Sequence, residues 1–183
     1  MIEVRFHGRG GQGAVTSAEL MAQTAISGGK YAQAFPNFGP ERRGAPVTAF
    51  LRISDSPIRV REKVYHPNVV VVLDPSIMSV TKVDAGLKED GCLIINSAKP
   101  AAEIRKAFGF KQKIVTVDAL HIALEELQVP ITNTVMMGAL SKVTGVVTPD
   151  QVRGPLDERF GPNLAPKNFK AFERAYEAAK VEG

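Results

Sequence analysis

Near the start of the chain, Gly8-Arg9-Gly10-Gly11-Gln12-Gly13 places four glycines between an alternating apolar stretch over 2–7 and a stretch over 14–26 with apolar residues at helical spacing. The alternation predicts a strand and the second spacing predicts a helix. Glycines between them let the backbone turn sharply and leave the N–H groups that open the helix bare. A terminus of this kind favours negative charge, typically a phosphate. The chemistry suggested by these residues is anion binding at the front edge of an α/β domain.

Gly8, Gly10 and Gly13 also match the G-x-G-x-x-G spacing of dinucleotide-binding folds. That fingerprint needs an acidic residue about 20 positions on, at the end of the second strand. A second strand is expected over 31–35, but Pro36, Asn37, Phe38, Gly39 and Pro40 follow it and the first carboxylate is Glu41. Arg42 and Arg43 suit a 2′-phosphate, yet they lie in a Pro/Gly-rich loop rather than at a strand end. Three readings stay open: an NAD(P) site, glycines that only let strand and helix pack closely, or contact with another phosphate-bearing group or a partner's backbone.

The second loop, Asn37-Phe38-Gly39-Pro40-Glu41-Arg42-Arg43-Gly44-Ala45-Pro46, follows that second strand. In a right-handed α/β sheet it falls on the same edge as the glycine loop, where ligands bind. Phe38 and the Gly and Pro residues stiffen it, and the planar forks of Arg42 and Arg43 suit an interface or an oxyanion. The alternative is a charged surface loop. A third segment, Asn133-Thr134, is expected to cap a helix over 134–143 whose buried face is filled by Met136, Met137 and Leu140.

Catalysis requires a nucleophile with its base, a carboxylate pair or metal ligands. His7, His66 and His121 fall in separate elements, without metal-ligand spacing to another His, Asp or Glu. His7 ends the first strand and is expected to face any site at the glycine loop; a structural role is the favoured reading. The single cysteine, Cys92, excludes an internal disulfide and a four-cysteine iron–sulfur cluster built by this chain alone. In Gly91-Cys92-Leu93-Ile94-Ile95 it belongs to a buried strand, where the thiol stays protonated. No phosphate loop ending in Lys-Ser/Thr is present, which argues against ATP hydrolysis. No catalytic residue and no metal ligand is assigned. Anion-binding equipment without reaction machinery suits a subunit that binds part of a substrate while a partner performs the chemistry.

The elements that must position these residues alternate along the chain. Strands are expected over 69–73, 92–95 and 114–117, and helices over 75–83, 101–108 and 119–127, the last capped by Asp118. Two further strands, 47–53 and 58–61, joined by Ser54-Asp55-Ser56-Pro57, predict a hairpin inserted after the second strand. Thr148-Pro149-Asp150 starts a helix that Gly161-Pro162-Asn163 ends, and a charged helix follows over 168–181. The expected fold is a three-layer α/β/α arrangement with a Rossmann-like mixed sheet, an inserted hairpin and C-terminal helices, in a single domain over 1–183. A net charge of +4 without charge runs argues against nucleic acid. With no signal peptide and no apolar run of membrane-spanning length, the expected compartment is the cytoplasm, without membrane contact.

Taken together, the glycine loop, Phe38-Gly39-Pro40-Glu41-Arg42-Arg43-Gly44 and Asn133-Thr134-Val135-Met136-Met137-Gly138-Ala139 resemble the gamma subunits of 2-oxoacid:ferredoxin oxidoreductases, most closely the pyruvate enzymes. The resemblance covers most of the chain. It departs at Phe38, where the family often has Tyr, and at Ala45, where it often has a second Gly. It implies oxidative decarboxylation of a 2-oxoacid, transfer of the acyl group to coenzyme A and reduction of ferredoxin. It further implies thiamine diphosphate, Mg and 4Fe–4S clusters held by alpha, beta and delta partner subunits, none by this chain alone. The gamma role so implied is completing the assembly and the approach to the active site, with contact to coenzyme A left open. Branched-chain and 2-oxoglutarate enzymes share this subunit type. A stand-alone NAD(P)-dependent reductase and a nucleotide-sensing module are the competing classes.

Overall fold

The computed structural model describes residues 1–37 and 44–182. Its elements are β1 (Ile2–Arg9), α1 (Ala14–Ser27), β2 (Tyr31–Pro36), β3 (Pro46–Ser54), β4 (Val69–Val72), a 3₁₀ turn (Pro75–Ser79), β5 (Cys92–Asn96), α2 (Ala101–Phe108), β6 (Lys113–Val117), α3 (Ala119–Leu127), α4 (Asn133–Thr144), α5 (Pro149–Ala178) and β7 (Lys180–Glu182). They form one seven-stranded mixed sheet in the order β2-β3-β1-β4-β5-β6-β7. β1, β4, β5 and β6 run parallel, while β3, β2 and β7 pair antiparallel with their neighbours.

The four valines of β4 are all buried because both faces of the central sheet are covered. Val69 and Val71 join the larger core with residues of α1, α3, α4 and α5, whereas Val70 and Val72 join a smaller core against Ile77, Val83, Leu87 and α2. The layers are thus unequal: four helices on one face, and one short helix with a 3₁₀ turn on the other. Cys92 is buried in β5, and burial pushes its thiol up to about 11, as an inert packing residue requires.

The hairpin differs from expectation. β2 and β3 form it, with Tyr31 opposite Ser54 and Pro36 opposite Ala49. The alternating segment 58–61 is not a strand. Both edges of β3 are already taken, by β2 and β1, so 58–61 cannot form the expected hairpin with it. The expected helix over 75–83 is only the 3₁₀ turn, capped by the Asp74 carboxylate accepting from Ser76 N–H at 2.9 Å. β-branched Val80, Thr81 and Val83 disfavour its extension.

At the far end Asp118 caps α3 as expected, accepting from His121 N–H at 3.1 Å. α5 is two helical segments meeting at Gly161, whose φ of 69° and ψ of 176° interrupt the helix. Pro162 opens the second segment, six residues before the expected start, because a proline is tolerated where no intrahelical N–H bond is needed. That segment stops at Ala178, and 180–182 pair with β6 instead of extending the helix. Among the described residues no helix is long and apolar enough to cross a membrane.

Candidate functional site

β1 runs two residues further than the alternation predicts, so Gly8 and Arg9 belong to the strand, opposite Val47 and Pro46 of β3. The turn proper is 10–13. Gly10 N–H donates to the Ala45 carbonyl at 2.9 Å, and Gly44 N–H donates to the Gly10 carbonyl at 3.3 Å. β2 lies two strands from β1 and runs in the same direction, which puts the end of the second loop beside the glycine loop.

Arg9 is a brace rather than a free cation. Its Nη1 donates to the Gly44 carbonyl at 3.0 Å, its Nε to Asp74 Oδ2 at 3.2 Å and its Nη2 to Ser76 Oγ at 2.9 Å. Gln12 is a second brace: its Oε1 accepts from Arg9 N–H at 2.7 Å and its Nε2 donates to Asp74 Oδ2 at 2.9 Å. Partial burial raises the Asp74 pKa, but hydrogen bonds from Ser76 and Gln12 and the Arg9 charge outweigh it, leaving the carboxyl below its usual range. Asp74 and Ser76 were not singled out from sequence. The available signal was that Asp74 directly follows a buried parallel strand, at the carboxyl edge where α/β sheets place functional groups.

α1 begins at Ala14 after Gly13, whose φ of 81° is left-handed. A Cβ at Gly13 would also lie 2.8 Å from Asn133 Nδ2. Glycine is therefore required there by both conformation and contact. Asn133 does not cap the helix as expected. It is the first residue of α4, Thr132 precedes it, and its side-chain oxygen accepts from Thr134 N–H at 2.8 Å. Its carboxamide is instead wedged against the glycine loop. Buried Thr134 donates through Oγ1 to Asn168 Oδ1 at 2.8 Å, and Asn168 Nδ2 donates to the Leu164 carbonyl at 3.0 Å, which ties the start of α4 to α5. Met136, Met137 and Leu140 fill the core, as the spacing predicts.

A helix start leaves its first N–H groups without intrahelical partners. Here Ala14, Val15 and Thr16 border an open hollow of about 280 Å³, completed by Arg9, Gly10, Gly11, Gly13 and Val47. The structure thus brings together the glycine loop, Gly44 and Asn133-Thr134. Phe38, Glu41, Arg42 and Arg43 lie outside the described residues. The hollow offers N–H donors to an oxyanion. Among the described residues no three His, Cys, Asp or Glu side chains are grouped to hold a metal ion.

His7 does not line this hollow. It lies on the opposite face of β1, where its Nε2 accepts from Arg5 Nε at 3.0 Å. Burial, and then the Arg5 charge, push its imidazole from the ordinary 6.5 down to about 3. The folded pKa is below the unfolded one, so this contribution to stability is complete above the unfolded pKa and fades as pH falls below it. From near pH 7.5 to near pH 5, His7 should remove about 2 kcal/mol of stability. Urea denaturation at both pH values checks this: His7→Gln should lack that part of the pH dependence, and equal dependence in both proteins would refute it.

The sequence matches the family model described as pyruvate ferredoxin/flavodoxin oxidoreductase over residues 3–178. It is 52% identical over 182 residues to the pyruvate/ketoisovalerate oxidoreductases common subunit gamma of Pyrococcus abyssi, covering 99% of this chain and 98% of that one. It is 52% identical over 183 residues to pyruvate synthase subunit PorC of Methanothermobacter marburgensis, covering 100% of both. The crystal structure of pyruvate oxidoreductase subunit PORC from Thermotoga maritima superposes with a TM-score of 0.90 at 42% identity, covering 100% of this chain and 98% of that chain.

Proposed function

Because the chain belongs to the pyruvate ferredoxin/flavodoxin oxidoreductase family, as the gamma subunit of a pyruvate:ferredoxin oxidoreductase, we propose that its glycine-loop edge receives the phosphate-bearing part of coenzyme A. The complex converts pyruvate, coenzyme A and oxidised ferredoxin to acetyl-coenzyme A, carbon dioxide and reduced ferredoxin. Thiamine diphosphate with Mg, and 4Fe–4S clusters, supply decarboxylation and electron transfer from the alpha, beta and delta partners. A cysteine-ligated cluster does not fit this chain, whose one cysteine is buried in β5.

The observation that supports this role is the meeting of three separate segments around the first turn of α1. Backbone N–H groups there are placed to donate to an oxyanion without side-chain reorganisation, and Arg9 and Gln12 keep the loop in place. Arg42 and Arg43, which directly precede Gly44 in the sequence, are the candidates for positive charge in this loop. The gamma subunit completes the assembly and the approach to the active site, while the 2-oxoacid is selected elsewhere. The name of the Pyrococcus relative, a gamma subunit common to pyruvate and ketoisovalerate enzymes, favours that division and a branched-chain 2-oxoacid as the second substrate class.

Arg42→Ala/Arg43→Ala in the assembled complex tests the reading. The Michaelis constant for coenzyme A should rise about tenfold to a hundredfold, as expected on losing charge-assisted hydrogen bonds, with that for pyruvate unchanged. An unchanged coenzyme A constant with the gamma chain lost from the complex would make the loop a docking surface for an acidic partner. Unchanged kinetics and assembly would remove both.

A further inference from the structure

A second hollow, of about 540 Å³, opens on the face of β1 and β3 turned away from α1 and shares no described lining residue with the first. The cross-strand pairs Arg5–Phe50 and His7–Thr48 form its floor. Lys63, Tyr65, His66 and Lys82 stand around it. Among the described residues the lining contains three permanent cations, Arg5, Lys63 and Lys82, and no carboxylate.

Arg5 is only 9% exposed. Its Nη2 donates to the carbonyls of Val83 at 2.8 Å and Ala85 at 2.6 Å, and its Nε to His7. These neutral partners fix the guanidinium and leave Nη1 for the hollow, but they do not neutralise it. Asp84 acts on it through its charge but makes no salt bridge with it and is not among the described lining residues. A buried cation without a direct salt-bridge partner is expensive unless something pairs with it. Because His7 Nε2 is the acceptor, the neutral ring carries its proton on Nδ1 and has a second donor available. Asn37, also in the lining, has a buried side-chain oxygen with no hydrogen-bond partner. Its carboxamide also carries two N–H donors, for which an oxyanion is a suitable acceptor.

We propose that this pocket binds the oxyanion group, phosphoryl or carboxylate, of a small molecule, with Arg5, His7, Thr48 and Asn37 as hydrogen-bonding partners and Lys63 and Lys82 as the charged rim. The site is independent of the coenzyme A reading, since the two hollows lie on opposite faces of the sheet.

The test is an NMR titration of the isotope-labelled full chain with inorganic phosphate and, separately, with malonate. Saturable shifts should appear at Arg5 Nε–H and at the amides of His7 and Thr48. Lys63→Ala/Lys82→Ala, two exposed substitutions that leave the core intact, should weaken binding at least tenfold. Tighter binding of phosphate would identify a phosphoryl ligand, and tighter binding of malonate a carboxylate. Shifts confined to 10–16, or equal affinity in the double variant, would overturn the proposal.

Discussion

Replacing Glu3 by Ala should lower the unfolding free energy by about 3 kcal/mol, the low end of what breaking a buried ion pair costs. Glu3 faces Arg52 across the β1–β3 ladder, and its Oε1 accepts from Arg52 Nε at 2.8 Å. The Arg52 side chain is 1% exposed and that of Glu3 17%, so the cation is the deeper member of the pair. Arg52 has little else: its guanidinium lies 5.4 Å from the Phe35 ring centroid, and Nη1 is buried without a partner. Removing Glu3 therefore leaves an unpaired buried charge, which differs from merely losing one bond. Arg52→Met in the Glu3→Ala background should recover most of the loss, because it removes the uncompensated cation while keeping apolar volume. Urea denaturation of the single and double variants measures the coupling. A loss below about 1 kcal/mol for Glu3→Ala, the range of exposed pairs, would mean that water reaches the guanidinium.

A comparable loss, about 3 kcal/mol, is expected for Gly138→Ala, whereas Gly154→Ala should gain roughly 1 kcal/mol. Both glycines are helical. A Cβ at Gly138 would stand 2.2 Å from the Phe172 carbonyl oxygen and 3.1 Å from Tyr176 N, where α4 crosses α5 backbone to backbone. No flexible side chain can yield there, so the helices must separate. At Gly154 a Cβ meets nothing within 4 Å, and only the helix propensity changes. In a thermal melt followed by circular dichroism, Gly138→Ala should lower Tm by about 6–12 °C and Gly154→Ala should raise it by about 2–4 °C. A Gly138→Ala variant as stable as the parent would contradict the close crossing.

The residues that announced themselves in the sequence are those whose local chemistry is decisive. Val69–Val72 could only be a doubly covered strand, Asp118 a cap, and Gly161-Pro162 a break between helices. What stayed hidden depends on partners distant along the chain. Ile58-Arg59-Val60-Arg61 alternates like a strand, but β2 had already taken the edge it needed. Asn133 has the chemistry of a cap, and only the approach of Gly13 shows why it serves a different purpose. The glycine loop was legible as a sharp turn from strand into helix, but the engagement of Arg9 with Asp74, Ser76 and Gly44 was not, since its partners lie 35 to 67 residues away. The basic hollow beneath β1 was legible only as a lone His7, because Arg5, Lys63 and Lys82 converge through the sheet and two irregular loops.

The short pairing of 180–182 with β6 has a consequence for how the chain avoids self-association. Without it, 113–117 would be an open border of β-branched residues, the kind of unpaired backbone that templates intermolecular strands. With it, the described sheet ends on one side in β2, where Pro36 has no N–H to offer a neighbour, and on the other in β7, an edge only three residues long. A folding species that has assembled β4, β5 and β6 but has not yet brought 180–182 back from the end of α5 is then the one most exposed to aggregation, and final docking of three residues trades that border for a much shorter one.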